Sequence, residues 1–500
     1  MRNGTLLAAI DLGSNSFRLE IGRYEHGQIQ RVEYLKETVR QGNALDAKRN
    51  LSEDAMQRGW ECLSRFSERL LQIKKSNIRA VATQTMREAR NRQIFLSRGR
   101  EILGLPIEVI AGNEEARLIY LGVTSLLPPS DERRLVIDIG GRSTELIQGT
   151  GITPRRTASF PLGSVGWSMN FFGDGKLSEK AFYQAEVAAQ AVLGEAFAKF
   201  GPGQWDIAYG TSGTVSAVAD ILQAADLPTD QISIKGMQWL RKQLIAAGST
   251  AKVDLPGLKE DRRAVIGGGV SILNALMELL GIETLEVAQG ALRHGVLAEM
   301  INRSERKSDI RDVSVRRLAR KFVMDAGQAQ RVKKTALQIF GKIVANADKG
   351  SESILKRQLG WAAQLHEIGF SISHDDYHKH GAYILDNADL PGFNVQELHR
   401  LSTLVLGQQG KLKNLEVDFN EDDFAKQLIS LRLAIILCHA RRDPEISALQ
   451  FQCKTDQNLL SVEAAPDWAQ KYPQSAHLLR QEETAWQKTT WTFQFLEDEY

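Results

Sequence analysis

Cysteine is scarce in this chain. Cys62, Cys438 and Cys453 stand far apart and are odd in number. They make neither a disulfide framework nor a CxxC metal site, so they read as reduced and mostly as core residues. Long apolar runs are missing too. Residues 6–10 are apolar, but Asp11 ends the run before it could serve as a signal-peptide core, and nothing later approaches a membrane span of about 20 residues. The chain is therefore expected to be cytoplasmic, with no integral membrane segment. Nor does one charge dominate: 63 Lys and Arg against 61 Asp and Glu leave +2. Such a chain has no strong global field, so a site for a polyanion must come from local clustering. No GxxxxGK[ST] phosphate loop occurs. What remains is an ordinary folded composition, 43% apolar and 25% charged, over 500 residues, a length that calls for about three domains.

The organisation begins with an internal echo. Residues 6–21 read LLAAIDLGSNSFRLEI and residues 135–149 read LVIDIGGRSTELIQG. Each is an apolar β-type run, an Asp, a glycine-containing turn with hydroxyl residues, and a second strand-like run. That is the pattern of a β-hairpin whose tight turn exposes backbone amides, and two copies predict a duplicated domain with one hairpin on each wall of a cleft. Between and after them the pattern is mixed α/β. Residues 51–73 read as a helix opened by Ser52, IRAVATQTM and PIEVIAG as strands, and NEEARLIYLGV as a helix capped by Asn113. Residues 178–200 read as an Ala-rich helix, residues 264–280 as a helix begun by a glycine cluster, and DIAYGTSGTVSAVADIL and TLEVAQGALRHGVL each as strand, turn and helix. Near residue 300 the character changes: residues 303–334 are strongly basic, and helical periodicity runs on to about 440. LQFQCKTDQNLLSVEA and TTWTFQFLE then alternate like strands. The division expected is 1–123, 124–300, 301–445 helical, and 446–500 a small β-containing end.

Three short turns after strands carry the chemistry: Gly13-Ser14-Asn15-Ser16, Gly140-Gly141-Arg142-Ser143-Thr144 and Gly210-Thr211-Ser212-Gly213-Thr214. Glycines let the backbone approach phosphate oxygens, and successive N–H groups with hydroxyls form an anion nest. One such turn would be unremarked. Three of them, two with an Asp at the strand end, point to phosphate.

IDLGSNSFR, AGNEEARLIYLGV, IDIGGRSTEL, GTSGT and GALRHG, in this order and spacing, resemble the exopolyphosphatase and guanosine pentaphosphate phosphohydrolase family. LHEIG, HKHGAYIL and DLPGF resemble the helical region of its long, four-domain members, so the resemblance covers nearly the whole chain. It implies two actin-like (ribonuclease H-like) α/β domains, then a mostly helical domain resembling the HD fold and a small β-containing C-terminal domain. It also implies hydrolysis of a terminal phosphate, with inorganic polyphosphate or guanosine pentaphosphate as substrate, no nucleic acid, and a homodimer. Carried over residue by residue, Glu115 matches the catalytic base and Arg87 an arginine that holds the terminal phosphate. Asp138 and Glu145 match a site for Mg²⁺ or Mn²⁺, with Asp11 as the corresponding carboxylate of the first hairpin. Ser14, Asn15, Gly141, Arg142, Ser143, Ser212 and Gly213 are candidate phosphate contacts.

Without the resemblance, Glu114 and Glu115 would simply complement a helix dipole, Asp11 would make an Asx turn, and Arg87 would be one more solvated cation. Two positions depart from the family pattern. Arg142 stands where a small residue, commonly glycine, is usual, and its side chain points either outward or to the anion. His294 replaces a usual Glu. In LHEIG the acid is Glu367 and the pattern is not HExxH, so His366, His378 and His380 are expected to be structural or phosphate contacts rather than a second metal centre. The rival readings are an ATP-dependent sugar or acetate kinase of the same superfamily, against which NEEAR argues, and a non-enzymatic sensor of polyphosphate or nucleotide.

Overall fold

In the computed structural model the chain divides into two compact units, 1–309 and 310–500. The described residues are all but 27, 228–230, 305–308, 345–348, 389, 413–414, 416–418, 420–421 and 498–500, together with the side chains of 303–304 and 349–351.

Unit 1 holds two repeats of one topology. The first is a meander of β1 (Leu6–Leu12), β2 (Ser16–Glu25) and β3 (Gln28–Thr38), followed by β4 (Ile78–Ala82) and β5 (Ile107–Val109), in the order β3-β2-β1-β4-β5. The second uses β6 (Arg133–Ile139), β7 (Thr144–Thr150), β8 (Thr153–Phe160), β9 (Ile207–Thr211), β10 (Gln231–Ser233) and β11 (Thr284–Val287), in the order β8-β7-β6-β9-β11-β10. In both, the first strand pairs antiparallel with its hairpin partner and parallel with the strand after the crossover. β1 and β6 are buried along nearly their whole length, which explains their continuous apolar runs. The outer strand β3 alternates exposed and half-buried residues and is rich in charge, as a sheet edge requires. The echo in the sequence is therefore a structural duplication: Asp11 faces Arg18 across the first hairpin, and Asp138 faces Glu145 across the second.

The repeats meet where helices Gly112–Thr124 and Leu292–Ser304 cross. The backbones lie so close that a Cβ on Gly295 would overlap the Leu118 carbonyl, so glycine in GALRHG is a packing requirement. Around the crossing, Leu7, Ala9, Val136, Leu118, Ile119, Val296 and Leu297 form one apolar core. Within it lies a charged cluster. Arg117 pairs bidentately with Glu114 (2.7 and 2.8 Å) and reaches Glu299, while Arg79 pairs with Glu108 and stands 3.8 Å from Glu299. Glu114 is thus a member of a buried ion-pair network rather than a solvated partner of the helix dipole. Deleting one member of such a network typically costs about 3–5 kcal/mol.

Several local expectations are revised. Residues 78–86 do not continue as one strand: β4 ends at Ala82, and Gln84–Glu88 is a helical turn closed by Met86 and Arg87 N–H bonds to the Thr83 carbonyl. Asn113 is not the helix cap. Ile110 N–H bonds Ala82 O, which leaves Ala111 extended as N-cap, and Glu115 N–H closes the first turn on Ala111 O (2.9 Å). The Ala-rich helix breaks at Gly194 into Glu179–Leu193 and Ala196–Phe200. By contrast, helix Ile266–Leu280 does open with the glycine cluster 267–269, where Gly268 admits the Ser168 hydroxyl to its N–H (3.1 Å).

Unit 2 is mostly helical: Ile310–Lys321, Ala326–Ile343, Lys349–Leu365, Tyr377–Asp386, Val395–Gly407 and Asp422–Leu437. The last is buried on nearly all sides, as a central helix should be. β12 (Leu449–Lys454), β13 (Leu459–Ala464) and β14 (Thr492–Leu496) form a three-stranded sheet on the same apolar core. Buried Arg432 on the central helix pairs with Glu482 on helix Pro473–Trp486, which ties residues 446–500 to the helices before them.

Candidate active site

The three glycine turns of unit 1 open onto one cavity of about 430 Å³. In the first turn, Ser14 and Asn15 carbonyls accept backbone N–H bonds from Gly42, Val39 and Arg40, which fixes the loop against the segment after β3. In the second, Gly140 and Gly141 carbonyls accept N–H bonds from Ser164 and Val165, and Gly163 lies so near Arg142 that any Cβ there would overlap its backbone. The third is the tightest, a direct strand-to-helix junction. β9 passes straight into helix Ser212–Ala224, with Ser212 held at φ 74°, a left-handed conformation costly for a residue with a side chain. Ser212 Oγ donates to the Ile139 carbonyl (2.9 Å), which locks the helix N-terminus beside Asp138. Ser14, Asn15, Gly141, Arg142, Ser143, Ser212 and Gly213 all line the cavity, as do Asp11, Glu115 and Asp138.

Two predicted residues stand back from it. Arg87 and Glu145 are not among the lining residues. The Arg87 guanidinium is spent on Glu115 Oε2 (2.8 Å), the Ile110 carbonyl (2.8 Å) and Gln84. Glu145 is buried behind Asp138 and accepts from Ser159 Oγ (2.8 Å). Arg142 does not point outward: it donates to the Gly42 carbonyl (2.7 Å) and to Glu88 (2.9 Å) in the first repeat. His294 Nδ1 accepts from Ala291 N–H (3.2 Å), which leaves Nε2 to carry the proton 3.3 Å from Glu20. Burial alone would raise the Glu20 carboxyl, but the bond from His294 and the charges of Arg293 and Arg31 hold it down at about 2.

The cavity contains cations that motif reading did not single out: Arg18, Lys36, Lys259, Arg262 and Arg293. Arg18 pairs with Asp11 (3.3 Å), and Arg293 lies between Glu20 (3.2 Å) and Asp11 (3.9 Å). The Arg262 guanidinium lies over Gly213, where any Cβ would strike it. Burial, and then the nearby Arg18 charge, push Arg262 below its ordinary value. Like charges gathered beside a helix N-terminus form a receptor for an anion of several charges.

Opposite these cations are carboxyls that repel one another. Burial raises Glu115 although Arg87 opposes the rise, and Asp11 adds to it. Asp138 is pushed up to about 7, first by burial and then, against the Ser212 hydroxyl, by Glu115 and Asp11. Glu145 is raised well above its ordinary range by burial and by Glu115 and Asp138. Such oxygen donors fit a hard divalent cation, which would relieve their repulsion. Among the described residues no three His, Cys, Asp or Glu side chains converge into a metal cage.

In unit 2, His366 is buried with Nδ1 bonded to the Ala363 carbonyl (2.8 Å), and Glu367 pairs with Arg441 (2.9 Å). Part of the basic stretch, 305–308, lies outside the described residues; Arg316, Arg317, Arg320 and Lys321 are exposed on helix Ile310–Lys321.

Residues 21–304 match the Ppx/GppA phosphatase family, and residues 310–483 match Ppx/GppA phosphatase, domain III. Among solved structures, an exopolyphosphatase-like protein is 25% identical at a TM-score of 0.54, covering 60% of this chain and 98% of its own. The Ppx-GppA enzyme of Aquifex aeolicus is 26% identical at 0.50, covering 59% and 99%. An exopolyphosphatase from Cytophaga hutchinsonii, 24% identical at 0.55 over 60% and 98%, shares the fold.

Proposed function

The chain belongs to the Ppx/GppA phosphatase family, and on that premise we propose that it hydrolyses the terminal phosphate of inorganic polyphosphate, with Mg²⁺ and with Glu115 as general base. The observation that carries this reading is the placement of the Glu115 carboxylate in the wall of the cavity onto which all three glycine turns open. Its pKa is displaced upward by burial, toward the range in which a carboxylate is an effective base near neutral pH.

The turn amides, the Ser212 helix N-terminus, Arg18 and Arg262 bind the terminal phosphate. Glu115 takes a proton from a water placed in line with the bond to the bridging oxygen, and the water oxygen bonds to the terminal phosphorus. As that bond breaks, the negative charge leaving on the shortened chain is met by the cavity cations, and positioning with charge neutralisation supplies most of the acceleration. Bound Mg²⁺, or Mn²⁺, would add charge neutralisation on the phosphate, held by Asp138 and helped by Asp11. Glu145, directly opposite Asp138 in the β6–β7 register, would bring a second carboxylate to the same cation. Arg87 orients Glu115.

One feature favours polyphosphate over guanosine pentaphosphate. Among the described residues lining the cavity, Tyr34 alone is aromatic, and its ring is already flanked by Arg293 (4.9 Å) and Arg31 (5.5 Å). A guanine base would have to share this one ring with two cations already on it, whereas an inorganic chain needs only cations. A homodimer belongs to the same reading. No helix among the described residues is long and apolar enough to cross a membrane.

The deciding experiment measures phosphate release from long polyphosphate, guanosine pentaphosphate and ATP side by side with Mg²⁺. Highest kcat/KM on polyphosphate is expected. Preference for guanosine pentaphosphate would replace the substrate, and preference for ATP would overturn the reading.

A further inference from the structure

A continuous chain of hydrogen bonds joins Glu115 to the turn of the second repeat. Arg87 Nη1 donates to Glu115 Oε2 (2.8 Å), while its Nε and Nη2 donate to Gln84 Oε1 (3.1 and 2.5 Å). Gln84 Nε2 donates to Glu88 Oε1 (2.5 Å), and Glu88 Oε2 accepts from Arg142 Nη2 (2.9 Å). Arg142 Nη1 ends the chain on the Gly42 carbonyl (2.7 Å). Gln84, Arg87 and Glu88 belong to the short helix Gln84–Glu88 of the first repeat, and Arg142 to the glycine turn of the second.

The Gln84 amide has only one workable orientation. Its oxygen must face the guanidinium and its NH₂ the carboxylate; reversed, both contacts would be repulsive. Each link thus fixes the next. The side chains are sheltered, at 24% and 19% exposure for Arg142 and Glu88 and 16% and 9% for Arg87 and Glu115. The two ion pairs are therefore stronger than the freely solvated kind.

We propose that Arg142 is a positioning residue. It clasps the turn of the second repeat to the first and, through Glu88 and Gln84, holds Arg87 against Glu115. This rests on the reading of Glu115 as the base. Glycine at this position would leave Glu88 without its cation and Gln84 with a looser anchor. Arg87 and the Glu115 carboxylate would then lose their fixed placement. Misplacing a reacting group by about 1 Å costs up to about 100-fold in rate, while Arg18, Arg262 and the Ser212 helix N-terminus, which bind the terminal phosphate, stand outside this chain of bonds. The clasp therefore acts on kcat rather than on KM.

The test is a double-mutant cycle in the full-length protein: Arg142→Gln, Glu88→Gln, the double variant, and Arg142→Lys. Phosphate release from polyphosphate is followed, with thermal unfolding alongside. Each single variant is expected to lower kcat by about tenfold, with KM within about twofold and Tm lowered by no more than a few degrees. The double variant should be no slower than the slower single one, because the pair acts as a unit. Arg142→Lys should recover part of the loss. Effects that multiply in the double variant, effects confined to KM, or wild-type kcat in Arg142→Gln would overturn the clasp. If Arg142→Gln folds poorly, Glu88→Gln and Arg142→Lys decide by the same kcat criterion. A wild-type protein that turns over but does not slow as Glu115→Gln would instead overturn the reading of Glu115, and the clasp with it.

Discussion

Replacing Asp138 by Asn should make the metal-free protein more stable while impairing its chemistry. Asp138 is buried, with its carboxyl displaced from an ordinary 3.8 to about 7 by burial and by the repulsion of Glu115 and Asp11. For an acid whose folded pKa lies above its unfolded one, the folded state binds the proton more tightly, so stability falls as pH rises through that interval. The displacement corresponds to about 4 kcal/mol at pH 7 and above. This is an upper bound, because the asparagine amide must itself be accommodated, and about 1–4 kcal/mol is expected. At about 2–4 °C per kcal/mol for a unit of this size, Asp138→Asn should raise Tm by several degrees at pH 8 in chelator. The gain should shrink to a few tenths of a kcal/mol near pH 4, where the folded carboxyl is protonated and the unfolded one about half so. Saturating Mg²⁺ should reverse the order by stabilising wild type through binding to the folded state alone. Thermal unfolding of both proteins at pH 4, 6 and 8, with chelator and with Mg²⁺, tests this. A variant less stable than wild type at pH 8 in chelator would refute the argument that carboxylate repulsion is stored at this site.

Two further predictions concern unit 2. His366 is buried and neutral, its pKa lowered to about 4 mainly by burial. The unfolded chain therefore takes up a proton that the folded one does not between about pH 6.5 and 4, and acidification should cost up to about 3 kcal/mol. His366→Gln should flatten this part of the pH–stability curve and leave the metal requirement for activity unchanged; a shifted metal requirement would revive a second metal centre. Replacing Arg316, Arg317, Arg320 and Lys321 by Gln should weaken binding of long polyphosphate and reduce its salt slope, since each neutralised phosphate releases counterions. An unchanged slope, read by titration at several salt concentrations, would make the helix an ordinary solvated face.

Much of the catalytic unit was legible because its signals are local. An Asp at a strand end followed by glycines and hydroxyls marks a hairpin wherever it falls, and both hairpins formed with Asp11 and Asp138 at matching positions. The same local pattern put Glu115 in the first turn of a helix following a strand, but only the family resemblance separated it from Glu114 as the base. The cavity cations were not legible in this way. Arg18 is a site residue because the register sets it opposite Asp11, and Arg262 because a loop far along the chain lies over Gly213. In sequence, LKEDRR is indistinguishable from a solvated charge run. Arg142 was visible as an oddity, but its partners Gly42 and Glu88 depend on how the two repeats face each other. In unit 2, helical periodicity was readable, whereas the Arg432–Glu482 pair that ties the last residues to the central helix joins distant segments with no shared motif.

The central claim is that Glu115 is the base of a phosphohydrolase. Its most direct test is turnover of long polyphosphate with Mg²⁺ by Glu115→Gln beside wild type, with substrate binding measured on both. With Glu115 as base, kcat should fall by about 100-fold or more with binding retained, because the change is isosteric and removes only the proton acceptor. Near-normal kcat would contradict it, and Glu114 could not take the role, since its carboxylate is held by Arg117 within the buried ion-pair network.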